Sequence, residues 1–151
     1  MTPAPPTSRF ALDTGVLVAY VRRGALGDWI EDTYHLRSRS QLSLICVVTE
    51  GEIRSLALQR NWGAARQREI QRLIDRFISV PLDFPGVIES YAGLDHFSRQ
   101  MGRPMGKNDL WIAATARATG ATLLTTDRDF DHLYPSWITR DWIDETIVRG
   151  S

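Results

Sequence analysis

The stretch Asn108-Asp109-Leu110-Trp111-Ile112-Ala113-Ala114, followed by Gly120 and then Ala121-Thr122-Leu123-Leu124-Thr125-Thr126-Asp127, decides the fold. Leu110, Ile112, Ala113, Ala116 and Ala118 belong to a helix that Asn108 or Asp109 can cap. Gly120 ends that helix as a C′ glycine does. Residues 121–125 read as a strand, and Asp127 stands just past its end. Helix followed directly by buried strand is the repeating unit of a parallel sheet covered on both faces.

The same alternation runs outward from this stretch. Phe10-Ala11-Leu12 is short and apolar and ends at Asp13, after which Thr14 and Gly15 open a helix through Val16, Leu17, Tyr20 and Val21. Residues 41–46 are nearly all apolar and read as a buried strand, with a helix following through Ile53, Leu56 and Ala57. Ile70, Leu73, Ile74, Phe77 and Ile78 keep helical spacing, while Arg66, Arg68, Arg72 and Arg76 mark a wet face. Ser79-Val80-Pro81-Leu82 is an edge strand by its proline, and a further helix runs from near Gly86 towards Met101. Residues 101–106 form a loop, a strand passes through Ile138, and Asp141-Trp142-Ile143 begins a short tail element.

Composition bounds the rest. The 151 residues suit one domain, and 43% hydrophobic content supplies a core. Formal net charge is zero, so bulk charge does not announce a nucleic-acid binder. Lys107 is the only lysine, and arginine suits bidentate contacts to phosphate, although coding bias explains the skew equally well. Cys46 is the only cysteine, which excludes an internal disulfide and a cysteine metal cage. It reads as a small buried hydrophobe. His35, His96 and His132 show no zinc-type spacing, and no apolar stretch has transmembrane length. Residues 1–8 read as a flexible lead without a signal-peptide centre, and 149–151 as a flexible tail or an expression remnant. A soluble cytoplasmic protein without membrane attachment is expected.

Four acids, Asp13, Glu52, Asp109 and Asp127, stand where strands end or helices begin. In a parallel sheet such positions share one edge, where ligands bind outside the carboxyl ends of the strands. Singly, each acid has an ordinary reading: Asp13 and Asp109 as helix caps, Asp127 and Asp129 as turn residues, Glu52 as a solvated helix residue. Jointly, grouped carboxylates repel one another unless a cation lies between them, and Mg²⁺ and Mn²⁺ favour such oxygen-rich sites.

Four blocks carry a family resemblance. Leu12-Asp13-Thr14, Val48-Thr49-Glu50-Gly51-Glu52-Ile53, Asn108-Asp109-Leu110-Trp111-Ile112-Ala113-Ala114 and Leu124-Thr125-Thr126-Asp127-Arg128-Asp129-Phe130 resemble the PIN-domain ribonucleases. Among these the chain is most similar to the VapC-type toxins of bacterial toxin–antitoxin pairs. The last two blocks in tandem are the specific part of the match. The resemblance implies a three-layer α/β/α sandwich with a mostly parallel central sheet, as a single PIN-like domain over residues 9–148. It implies that Asp13, Glu52, Asp109 and Asp127 are catalytic and hold Mg²⁺ or Mn²⁺, with Thr14, Thr125 and Asp129 as accessories. Glu50 is a rival to Glu52, but two residues apart on a helix they point to different faces.

The activity implied is metal-assisted hydrolysis of RNA phosphodiesters, leaving 5′-phosphate and 3′-hydroxyl ends. A divalent ion would lower the pKa of water and offset charge gained by phosphorus. The resemblance also implies a cognate antitoxin and a homodimer. Arg22, Arg54 and Arg60 are candidate RNA contacts, with Arg23 and the arginines at 66, 68, 72 and 76 in support and Trp62 as a stacking surface. Trp29 and Tyr34, in the polar stretch 28–40, mark a surface for the antitoxin. Three rivals stand beside this reading. One is a haloacid-dehalogenase-like phosphatase, which needs an acid where Gly15 stands. The others are a non-catalytic binding module on the same fold and a PIN nuclease of RNA processing outside a toxin system. RNA versus DNA, and one metal versus two, stay open.

Overall fold

Phe10, Ala11 and Leu12 are all buried, and that is why they form the centre of the sheet: a strand buried on both faces has no room for a polar side chain. The computed structural model describes residues 9–148. The expected lead at 1–8 and the tail at 149–151 lie outside the described residues. Five strands form one sheet: β1 (Phe10–Leu12), β2 (Leu44–Cys46), β3 (Ile78–Val80), β4 (Thr122–Thr125) and β5 (Thr139–Trp142). Their order is β3-β2-β1-β4-β5, and all four pairings are parallel. Six helices connect and cover them: α1 (Thr14–Arg22), α2 (Ala25–Tyr34), α3 (Val47–Gln59), α4 (Ala64–Ile74), α5 (Val87–Gln100) and α6 (Lys107–Thr119). A 3-10 helix, Arg128–Leu133, follows β4, and another, Glu145–Val148, follows β5.

The strands divide their side chains between two cores with period two. Phe10, Leu12, Ile45 and Leu124 face a cluster built with α1 to α4. Ala11, Leu44, Cys46 and Leu123 face a second cluster built with α5 and α6. This is the expected α/β/α sandwich, with a sheet wholly rather than mostly parallel. No helix among the described residues is long and apolar enough to cross a membrane.

Several boundaries differ from the sequence reading. The strand expected over 41–46 forms only at Leu44–Cys46, because Leu42 is exposed and pairing with β3 begins at the Ser43 carbonyl, which accepts from Ile78 N–H at 2.9 Å. The helical spacing that ran on to Ile78 breaks at Ile74; Phe77 turns the chain, and Ile78 opens β3. β3 is the edge strand foreseen, but it ends before Pro81. Asp141 and Trp142 end β5 rather than begin a separate tail element. The polar stretch 28–40 contains the second half of α2, which the sequence reading lacked. Gly27 masks that helix in the sequence, yet it sits where a Cβ would lie 2.7 Å from the Ala19 carbonyl oxygen. It is the residue that lets α2 cross α1 at backbone contact.

Candidate active site

Strand order reverses at β1. The chain steps from β1 to β2 to β3 on one side, then returns to place β4 on the other. A crevice opens at the carboxyl end of such a switch point. Asp13 directly follows β1 and Asp127 stands two residues past the end of β4, so the pairing of these strands puts both at its lips.

Each acid is held by local structure. Asp13 is buried at 6% exposure and caps α1: its Oδ1 accepts from Thr14 N–H at 2.7 Å. Its other oxygen, Oδ2, accepts from the Thr125 hydroxyl at 2.7 Å. The Thr125 oxygen in turn accepts from Asp127 N–H at 2.9 Å, so one buried threonine joins the two acids across the crevice. Asp127 Oδ1 accepts from Asp129 N–H at 2.8 Å and caps the 3-10 helix. Glu52, on α3, accepts from the Thr14 hydroxyl at 2.7 Å, and that oxygen also lies 3.2 Å from the buried Thr49 hydroxyl. Gly15 lets α1 start close to β4: a Cβ there would lie 2.9 Å from Thr126 Oγ1.

Asp109 differs from expectation in one respect. The helix cap is Gly106, and α6 starts at Lys107. Asn108 and Asp109 therefore lie inside the first turn rather than capping it, and the Asp109 carboxylate is left for the crevice, where the helix dipole favours negative charge. The crevice brings Asp109, Asp127 and Asp129 together, with one carboxylate oxygen of each within 4.8 Å of the others. Asp129, expected as an accessory, thus sits in the tightest group. Asp13 and Glu52 lie outside that triad but act on it by charge. Burial and the charges of Asp13, Asp127, Asp129 and Glu52 push the Asp109 carboxyl up to about 6. Asp13 is also raised, first by burial, against the lowering effect of its Thr125 and Thr14 hydrogen bonds.

The donor set is all oxygen. Cys46 is buried in the second core at the end of β2. Hard carboxylate donors at this separation suit Mg²⁺ or Mn²⁺ and give nothing to a soft metal. A cation would also offset the burial and the neighbouring charges that raise the Asp13 and Asp109 carboxyls.

Other expected residues are placed elsewhere. Glu50 turns away from the crevice to Arg54 at 2.9 Å and the Ser79 hydroxyl at 3.2 Å. Arg54 is engaged by Glu50 and Gln71 rather than extended towards the crevice. Arg22 ends α1, about 13 Å along the helix axis from Asp13. Arg60 caps α3 and is exposed. Trp62 is not a free stacking platform: it packs against the first core, and the Arg66 guanidinium lies 4.1 Å from its ring centre. Tyr34 is buried edge-on to Phe10, and Trp29 packs beside it, so neither ring forms an exposed docking surface. Trp111 is half-buried and stacks on Tyr91.

Two features escaped the sequence reading. Thr49 is fully buried behind Glu52; a polar β-branched residue on the core stripe of a helix was the available signal. His132 Nε2 lies 2.8 Å from the buried Ser98 hydroxyl, tying the 3-10 helix to α5; no spacing rule could have paired them.

Two grooves adjoin these elements. One, of about 620 Å³, runs from Thr14, Glu52 and Asn108 along α3 to Gln59. The other, of about 670 Å³, lies between α1, α2 and α4 and includes Arg23, Arg37, Arg72, Glu31 and Glu69.

A parallel α/β/α sandwich with carboxylates gathered at its switch point defines a class of acidic-site domains suited to a divalent ion. A family description of the PIN domain matches residues 10–134, and the chain belongs to the PIN domain family. It is 39% identical over 88 residues to Ribonuclease VapC4 of Mycobacterium tuberculosis, covering 57% of this chain and 67% of that protein. Among solved structures, it resembles VapBC2 from Rickettsia felis bound to a promoter DNA fragment, with a TM-score of 0.77 and 20% identity, over 89% of this chain and 98% of that chain. VapBC-1 from nontypeable Haemophilus influenzae matches with a TM-score of 0.74 and 20% identity, over 88% of this chain and 96% of that chain. These two likenesses establish the shared fold.

Proposed function

We propose that this chain is a Mg²⁺- or Mn²⁺-dependent endoribonuclease and the toxin half of a cytoplasmic toxin–antitoxin pair. The observation that carries the reading is the meeting of Asp109, Asp127 and Asp129 within 4.8 Å, with Asp13 and Glu52 coupled to them by charge. The relative named as a ribonuclease supports the same activity. The site offers no second acid two positions past Asp13, where a haloacid-dehalogenase-like phosphatase requires one; Gly15 packs there against Thr126.

In this reading Asp13, Glu52, Asp109 and Asp127 would hold the ion, and Asp129, the exposed member of the close group with Asp109 and Asp127, would face it from the open rim. When bound, the cation supplies Lewis acidity, lowering the pKa of a water and offsetting the charge that the phosphate gains. The remaining work belongs to the chain. The Thr125 hydroxyl fixes the Asp13 carboxylate and the Asp127 backbone in one geometry. Thr14 fixes Glu52 in the same way. No serine or histidine nucleophile is needed. Hydrolysis leaves a 5′-phosphate and a 3′-hydroxyl. Arg22, Arg54 and Arg60 are all exposed; Arg54 is engaged by Glu50 and Gln71, and Arg60 stands at the end of α3, the helix that carries Glu52.

The antitoxin surface moves from the Trp29 and Tyr34 rings to the arginine-rich groove beside α2. Apolar Ile70 and Leu73 line it together with both signs of charge, which suits an amphipathic segment carrying acidic residues. A homodimer is proposed alongside it.

Asp109→Asn tests the catalytic assignment. The variant keeps the fold, because Asp109 caps nothing, and loses Mn²⁺-dependent cleavage of a structured RNA panel. Wild-type cutting by this variant sinks the assignment.

A further inference from the structure

α3 carries two stripes. Thr49, Ile53 and Ala57 face the first core at helical spacing. Val48, Gly51, Glu52, Ser55, Leu56 and Gln59 form a neighbouring stripe at i, i+3, i+4, i+7, i+8 and i+11. That stripe is one wall of the 620 Å³ groove, with Thr14 and Asn108 opposite. From Glu52 to Gln59 it extends about 10 Å along the axis, away from the acidic crevice.

Two observations mark the groove as built for a ligand. The first is its chemistry. Among the described residues Glu52 is its one charged lining residue, and no arginine or lysine lines it. Arg54, on the same helix, is turned off to Glu50 and Gln71. A phosphate is disfavoured here. Half-buried Val48 and Leu56 offer apolar contact, while Ser55 and Gln59, joined by a hydrogen bond from the Gln59 amide to the Ser55 hydroxyl at 3.1 Å, and Asn108 offer neutral donors and acceptors at their remaining positions. The hydroxyl and amides match base edges and a ribose 2′-hydroxyl. The groove lies open to solvent, and at about 620 Å³ it is long enough to lay one nucleoside along α3.

The second observation is Gly51. A glycine inside a helix is unfavourable relative to alanine. Gly51 has nothing within 4 Å of where a Cβ would stand. Unlike Gly15 and Gly27, it serves no close packing contact. Its missing side chain keeps the groove open beside Glu52.

We propose that this groove is a nucleoside subsite, which receives an unpaired ribonucleoside beside the acidic crevice and reads its base through Ser55 and Gln59. The proposal rests on the ribonuclease reading above. It assigns sequence preference to the exposed stripe of α3 rather than to the arginines of α4.

The test is cleavage of a randomised RNA pool in Mn²⁺, read by sequencing the cut ends, with Mn²⁺ affinity measured by calorimetry on the same preparations. Gly51→Leu fills the groove. It should raise Tm by about 2–4 °C through helix propensity, bind Mn²⁺ as the parent does, and cut at least about tenfold more slowly. Gly51→Ala, a milder filling, should raise Tm at least as much and slow cutting less. Gln59→Ala should flatten the base distribution at one position beside the cut. Unchanged rate in Gly51→Leu together with an unchanged distribution in Gln59→Ala overturns the subsite and leaves the nuclease intact. A wild-type protein that binds Mn²⁺ and cuts no RNA overturns the nuclease reading, and the subsite with it.

Discussion

At the residue scale, the site is governed by competition between protons and a cation for the same carboxylates. Asp109 is raised from 3.8 to about 6, so the folded protein holds its proton more tightly than the unfolded chain does. The stabilisation is complete below the unfolded value and is lost as pH rises through the folded one. Without metal, stability contributed by Asp109 therefore falls between about pH 4 and pH 6, and Asp13 acts in the same direction. With Mn²⁺ the sign reverses, since ionised carboxylates are the ligands and the ion binds only the native state. Thermal melts in EDTA and in millimolar Mn²⁺, from about pH 5 to about pH 7.5, should show a Tm gap that widens with pH. A gap that stays flat or narrows counts against a metal at these carboxylates. Asp13 and Asp127 were legible because they stand past the ends of strands, and Asp109 because it lies in the first turn of a helix; Glu52, in the second turn of α3, was singled out by the family resemblance. The close grouping of Asp129 was not legible, because it depends on the turn that Asp127 caps.

At the element scale, the core-facing side of α6 is built from small residues. Ala113, Ala114 and Ala116 are buried within about 1% exposure, and the helix lies close on the sheet and on α5 as a result. That closeness helps set the reach of Asp109 into the crevice. Ala113→Leu should cost about 1–3 kcal/mol by overpacking and lower Tm by several degrees. Calorimetric melting checks this; a Tm equal to the parent's means that the layer has slack that these burial values deny. Gly120 ends α6 at φ 71°, in the left-handed region that its lack of a Cβ permits, and this was readable from the sequence. So were the strands at β1 and β4, whose apolar runs are short and bounded. The second helix was not, because Gly27 and Asp28 read as a break where tertiary contact makes a crossing. The overlong α4 had the opposite cause: helical spacing continued by chance through Phe77 and into β3.

At the scale of the whole molecule, the two grooves divide the surface by charge. The one beside the acids has no basic residue among its described lining residues, and the one between α1, α2 and α4 has five arginines against three acids. If the chain is a toxin, the product of an adjacent small reading frame should co-purify with it on coexpression. Arg37→Glu with Arg72→Glu should weaken that complex without changing RNA cleavage by the free protein. A neighbour that never forms a complex removes the toxin assignment and leaves a nuclease of another setting. The sheet order carries one more consequence. β1 is central, yet its second partner, β4, lies more than a hundred positions later, and Asp127 arrives only with that strand. A nascent chain that has not yet released this segment from the exit tunnel has half a crevice and no triad. The acidic site therefore assembles late in synthesis, only after β4 has emerged to pair with β1.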